Sequence, residues 1–502
     1  MEIAMYEVAL AFSVLCLGGV GFYFLRSPYF SLFHPLTFYI AFQGFIFVIR
    51  PIMALIYDYQ YIYMAYQFTP SASDKLTVIL ASNLGFLAFA FFCLRSGSVE
   101  MEFKQDAFGI AERNRLTRGF IWVAAICVPI GVYSLATLWL DASQGVAHAD
   151  MAMDMSTGVI ISTKGNGYLA EAQLMLASCF AIMAWLFRFR LIALMPLLFF
   201  VVFRAGTGGR SPFVTAMVTV GLLYLYEHRR KVITLRVGLL LMGAVLLFNS
   251  IGTDRGDALR RWIVNDTSGS VYEAADLHMR PLEGMDFGNL EYFEYLVYAI
   301  PQRTQTYGYF LDTLQLFTEP VPRVLWKDKP VGAPFNKIFL FDYGRPIGMT
   351  RSLPGQGWFS MGWRGVIIWC GLWGYGLGAI YRRFVQGPQN TVHTAAYMIF
   401  LPIMLVAFRD GSIVTVARQG LFFLGPVVLW YLIARYLGIP SAQAMRSAYL
   451  RKLRRVRAAS ELSGPASIAE HSRTALALPM RYLPDAVMRR RLALARHGDG
   501  AA

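Results

Sequence analysis

The feature that most constrains this chain is the recurrence of nearly uncharged apolar blocks of about 18 to 25 residues. A helix needs about 20 such residues to cross the hydrocarbon core of a bilayer. Charged residues make up 15% of the chain, against roughly 25% in soluble globular proteins. Buried core helices of a soluble fold are therefore a poor alternative. The blocks predict an all-α polytopic membrane protein with about eleven spans, near 5–25, 34–57, 76–94, 119–140, 168–187, 191–205, 212–227, 234–252, 364–382, 391–408 and 413–436. The first block has no basic residues ahead of it and no small-residue cleavage site after it, so it reads as a retained span. Cys16, Cys93, Cys127, Cys179 and Cys370 all fall inside apolar blocks without metal-ligand spacing, and are expected to be packing residues.

Charge predicts the topology. Short loops rich in Lys and Arg stay in the cytoplasm. Such loops follow span 3 (Arg95, Lys104, Arg113, Arg115, Arg118), span 7 (Arg229, Arg230, Lys231, Arg236) and span 9 (Arg382, Arg383), and the tail after span 11 is basic as well. An odd number of spans sets them all on one side. The expected organisation is spans 1 to 8 over 1–252, an outer connection over 253–363, spans 9 to 11 over 364–436 and a basic cytoplasmic tail over 437–502. The N-terminus then lies outside. About half of the net charge of +15 sits in the tail, where anionic lipid attracts it; nucleic acid is not needed to explain the charge. The outer connection is nearly balanced in charge. Leu290 to Ile300 reads as an aromatic amphipathic helix, Tyr307 to Phe317 as a second helical stretch, and the whole as an ordered cap partly resting on the membrane surface.

Projected along the spans, arginines gather at one depth. Arg50 falls in the outer half of span 2, Arg204 ends span 6, Arg210 begins span 7 and Arg409 ends span 10. Arg418 lies just inside span 11, and Asp254 and Arg255 follow span 8 at the same level. Charges inside a span usually face a polar cavity, and six arginines at one depth repel unless anions sit among them. A diphosphate is a suitable anion, because the planar guanidinium pairs two phosphate oxygens at once. Gly206, Gly208 and Gly209 would let backbone N–H groups approach it. The alternative is snorkelling of each arginine to the headgroups.

Three segments carry a resemblance. They are Gly208-Gly209-Arg210-Ser211-Pro212, then Val321-Pro322-Arg323-Val324-Leu325-Trp326-Lys327-Asp328-Lys329-Pro330, then Pro354 to Gly365 (PGQGWFSMGWRG). Over roughly residues 30 to 435 the chain resembles the bacterial oligosaccharide repeat unit polymerases, the O-antigen polymerase (Wzy-type) family. The resemblance implies a GT-C-like glycosyltransferase in the bacterial inner membrane. Such an enzyme joins polyisoprenyl-diphosphate-linked repeat units on the periplasmic side, needs no cofactor or metal, and works beside a chain-length regulator protein. Diphosphate contacts are expected from Arg210 and Arg255 first, then Arg418, Arg409, Arg204, Arg323, Arg50 and Lys329. Trp326, Trp358 and Trp363 are expected to stack on sugars or to anchor at the interface. An inverting transfer needs a general base, for which Asp254, Glu291, Glu294, His278 and Glu171 are the candidates. Gln356 stands where many members carry an acidic residue, so no base is expected there. An O-antigen ligase would share the donor. A flippase or transporter would be expected to show internal repeats and a midplane site, and a non-catalytic scaffold leaves the embedded arginines unexplained.

Overall fold

In the computed structural model the residues described are 2–104, 107–143, 151–153, 160–162, 167–205, 211–233, 238, 280, 283–284, 287–321, 325–335, 337–346, 348, 350–388 and 390–463. They form a helical bundle. The longer helices among the described residues are α1 (Glu2–Arg26), α2 (Pro35–Tyr57), α3 (Ala72–Gly97), α4 (Ala107–Ser143), α5 (Leu174–Leu186), α6 (Leu191–Ala205), α7 (Ser211–Glu227), α8 (Asn289–Ala299), α9 (Leu353–Gln386), α10 (Thr391–Asp410), α11 (Ile413–Tyr436) and α12 (Ala442–Ser463). Met151–Met153 and Ile160–Ser162 pair as one short antiparallel hairpin.

Among the described residues, seven helices are long and apolar enough to cross a membrane: α1, α2, α3, α4, the stretch Tyr168–Leu186 that ends in α5, α10 and α11. They coincide with seven of the eleven expected blocks. Expected spans 6 and 7 are helical but short, as α6 and α7. Span 8 lies, apart from Gly238, outside the described residues. Span 9 is the second part of α9, where glycines and aromatics dilute the apolar character.

The centre of the bundle is a close crossing of α3 and α9, and glycines make it possible. A Cβ at Gly374 would lie 2.4 Å from the Phe89 carbonyl oxygen, and one at Gly378 2.1 Å from Ser96 Oγ. The Ser96 hydroxyl donates across the crossing to the Tyr375 carbonyl at 2.9 Å. Small residues of this kind let two helix backbones approach and gain packing in lipid. The N-terminal part of α9 folds back on the rest. Met361 and Gly362 leave helical geometry, with Gly362 at φ +59°, and Gly357 lies backbone to backbone against Gly365.

Three expectations are corrected. The basic stretch after span 3 is largely helix, because α4 begins at Ala107 and Arg113 is buried against Glu227 at 2.6 Å. Leu290 to Ile300 is a helix, α8, but it sits inside the bundle: every residue from Asn289 to Val297 is buried. The stretch from Tyr307 to Phe317 yields only a 3-10 turn at Leu311–Leu314 and one helical turn at Gln315–Thr318.

Candidate functional site

Two polar clusters lie toward the end of the bundle where α10 stops and α9 begins. The first is closed. A π-turn, Phe45–Ile49, runs directly into Arg50 in α2, and the Arg50 guanidinium reaches inward to Glu291 on α8. Nε lies 3.0 and 2.9 Å from the two carboxylate oxygens, Nη2 lies 2.8 Å from Oε1, and both side chains are 1% exposed. Glu283 accepts the Gln60 and Tyr61 N–H groups at 2.9 and 2.8 Å. Glu294, one helical turn from Glu291, accepts the Tyr63 hydroxyl at 2.6 Å. Burial pushes the Glu294 carboxyl up to about 7, against the opposing pull of Lys75. Arg50 and Glu291, assigned from the sequence to ligand and base, thus neutralise each other in the interior. A buried pair of this kind is satisfied internally and has no charge left over for a ligand.

The second cluster is a charged mouth, and the chain ends that build it explain its shape. Gly411 closes α10 at φ +71°, with its N–H on the Ala407 carbonyl at 2.8 Å. A Cβ there would meet the Ser352 carbonyl oxygen at 2.2 Å, so the position needs glycine. Ser412 then caps α11 through the Val414 N–H. This two-residue turn brings Arg409 and Asp410 beside Arg418, little more than one turn into α11. The start of α9 is tied to the same end: the Ser352 N–H donates to the Arg409 carbonyl at 2.9 Å. The Asn289 amide bridges the Thr350 and Arg409 carbonyls, both at 2.8 Å.

Arg351 is the hub of the mouth. It is 6% exposed and lies over the Phe359 ring at 3.7 Å. Its Nη1 donates to Asp312 Oδ2 and to Gln356 Oε1, both at 2.7 Å, and Gln356 Nε2 donates to the same Asp312 oxygen at 2.8 Å. Seven residues on, the same strip of chain presents Glu319. Arg418 lies between Glu319 at 3.6 Å and Glu171 at 3.8 Å, both beyond hydrogen-bond length. Asp410 is hydrogen-bonded to Thr415 and lies in the field of Arg409, Arg351 and Arg418. Arg204, at the end of α6, faces Glu171. The arginines are therefore interleaved with carboxylates, which answers much of the repulsion inferred from their common depth.

The mouth retains unused hydrogen-bonding capacity. Asp312 Oδ1, Arg351 Nη2, Arg409 Nε, Arg418 Nε and Gln419 Oε1 are buried without a hydrogen-bond partner among the described residues. Buried polar atoms are rarely left so, and each costs about 1–3 kcal/mol. Four of these atoms, on Asp312, Arg351, Arg409 and Arg418, belong to the linked cluster described above and are its unfilled hydrogen-bonding capacity.

Other residues singled out from the sequence are distributed as follows. Lys329 is engaged by the Glu319 and Val321 carbonyls at 3.0 and 3.1 Å. Trp358 is buried, its indole N–H on the Ile300 carbonyl at 2.9 Å and its ring edge-on to Trp363. It is a packing residue, whereas Trp326 and Trp363 keep exposed faces. Arg210, Asp254, Arg255, His278 and Arg323 lie outside the described residues. The sequence reading missed Arg351, Asp312, Glu319 and Asp410. Only Asp410, next to Arg409 at a helix end, carried a signal that could have found it. All five cysteines are free.

No family model, no curated protein and no solved structure matches this chain.

Proposed function

We propose that the chain is a GT-C-like glycosyltransferase that polymerises oligosaccharide repeat units carried on a polyisoprenyl diphosphate, at the periplasmic face of a bacterial inner membrane. In this reading the N-terminus is periplasmic, the basic tail is cytoplasmic, and a chain-length regulator protein is a partner. The observation that carries the reading is the set of buried, unfilled guanidinium N–H groups of Arg351, Arg409 and Arg418 at one end of the membrane bundle. The three motifs that resemble the repeat unit polymerases support it from an independent direction, and the third of them contains Gln356, a partner of Arg351.

The chemistry follows from charge. The bond between the donor's anomeric carbon and the diphosphate oxygen breaks, and its electron pair stays on the diphosphate. Arg409 and Arg418, with Arg204 beside them, stabilise that growing negative charge, as fixed donors do wherever charge develops. Arg210 and Arg255 remain further contacts expected from the sequence. The acceptor hydroxyl oxygen bonds to the anomeric carbon, and its proton passes to a carboxylate. Asp312 suits that role in this reading: Arg351 and Gln356 hold one carboxylate oxygen and leave the other open. Trp326 and Trp363 are the aromatic faces left for sugar rings.

The test is a strain lacking the protein, examined for its surface glycan. Single-repeat caps that lengthen to a full ladder on re-expression support a polymerase. Lipid-linked polymer that is never transferred indicates a ligase, repeat units stranded on the cytoplasmic side indicate a flippase, and an unchanged glycan refutes all three.

A further inference from the structure

At the opposite end of the bundle, where α3 and α9 finish, lies a groove of about 670 Å³ lined by Phe92, Arg95, Ser96, Tyr375, Arg382 and Arg383 among others. Arg95 near the end of α3 and the pair Arg382–Arg383 near the end of α9 are far apart in sequence. The glycine crossing brings their helix ends together. All three guanidiniums are exposed, and none pairs with a carboxylate among the described residues. Arg382 makes one contact, to Gln386 four residues on, at 3.2 Å. Glu100, which follows α3, is taken by Lys231 at 2.6 Å.

Arginines in a last helical turn commonly serve the helix's own carbonyls. Here that role is already filled: Lys104 Nζ donates to the Val385 carbonyl at 2.7 Å and to that of Gln386 at 3.3 Å. The Arg383 carbonyl is satisfied by the Gly387 N–H at 2.9 Å. The arginine heads are therefore free for an external anion. The same groove has an apolar wall in Phe92, Tyr375 and Ala379, continued along the helices by the exposed Phe91, Ile368 and Leu372. Basic heads above an apolar flank match an anionic lipid, because basic pockets between membrane helices bind phosphate headgroups.

We infer that this groove binds the headgroup of a membrane lipid carrying two phosphates, with the lipid tail lying along α3 and α9. One phosphodiester neutralises one of three cations that have no carboxylate partner among the described residues, whereas two phosphates, each forked by a guanidinium, answer at least two of them. A bisphosphodiester lipid and a polyprenyl diphosphate share that chemistry.

The experiment is native mass spectrometry of the full-length protein in detergent with cardiolipin, a polyprenyl diphosphate, phosphatidylglycerol, phosphatidylcholine or inorganic diphosphate. The expected result is preferential retention of one or both two-phosphate lipids. Replacing Arg95, Arg382 and Arg383 with Gln together should weaken retention about a hundredfold, at about fivefold per cation. Arg382→Gln alone, an exposed change compatible with folding, should weaken it about fivefold. Gln at Arg451, Lys452 and Arg454 on α12 should leave it unchanged, since those cations lie outside the groove. Retention unaffected by the groove variants, equal retention of phosphatidylglycerol, or equal binding of inorganic diphosphate without a lipid tail would each overturn the inference. The lipid that is retained tells the two sources apart.

Discussion

Replacing Arg50 with Ala separates two roles that the sequence alone leaves together. If Arg50 is an internal strut, its loss strands the Glu291 carboxylate in a site where both side chains are 1% exposed. Removing one partner of a buried, hydrogen-bonded ion pair costs about 3–5 kcal/mol. Three guanidinium contacts to Glu291 between 2.8 and 3.0 Å argue for the upper part of that range. The Tyr59 ring, 5.4 Å from the guanidinium, loses its cation as well. Fluorescence-detected thermal unfolding of the detergent-solubilised protein reads the loss as a markedly lower midpoint. The double variant Arg50→Met with Glu291→Met removes both charges and should recover much of the stability. A single Arg50→Ala variant that keeps the wild-type midpoint yet loses activity would refute the strut and return Arg50 to the ligand.

Glu294 supplies a pH signature. Its carboxyl is raised from 4.5 to about 7 by burial, so between those values the folded protein holds a proton that the unfolded chain has released. Its contribution therefore favours folding at low pH and is lost as pH rises from about 4.5 to about 7, by up to about 3 kcal/mol. Glu294→Gln should flatten that part of the pH–stability curve in thermal unfolding. Gly411→Ala is expected to destabilise by about 1–3 kcal/mol from the positive φ alone, and by more from the contact with Ser352, read as a lower midpoint. Gly374→Val drives a side chain into the Phe89 carbonyl and should abolish folded protein in size-exclusion profiles. Asp312→Asn takes the carboxylate charge from the nearly buried Arg351 and should lower the midpoint as well as remove chain elongation in a surface-glycan ladder assay.

The spans were readable because membrane burial is a one-dimensional property: twenty apolar residues in a row suffice, and α1, α3, α10 and α11 are each bounded close to where their blocks end. The positions of Arg409 and Arg418 near helix ends were readable for the same reason. What the sequence hides is pairing. Glu291 lies 241 residues from Arg50, and Asp312 reaches Arg351 only because the chain between α8 and α9 folds back at the end of α10. Linear projection therefore shows the cations at the mouth and misses the carboxylates that interleave them. Gly411 and the α9 fold-back at Gly362 were equally hidden, since their need for glycine arises from backbone approach rather than from local pattern. The block expected as span 9 is helical as the second part of α9, and its glycines, which dilute the apolar signal, are what seat it against α3.

The most direct test of the central claim uses purified full-length protein in liposomes with a polyisoprenyl-diphosphate-linked repeat unit as sole substrate. Growth of a glycan ladder with release of one lipid diphosphate per unit added is the predicted result, falling about 10²–10³-fold in Arg418→Ala. Release of lipid diphosphate without ladder growth, or a ladder that Arg418→Ala leaves intact, would contradict the assignment of the charged mouth as the site of transfer.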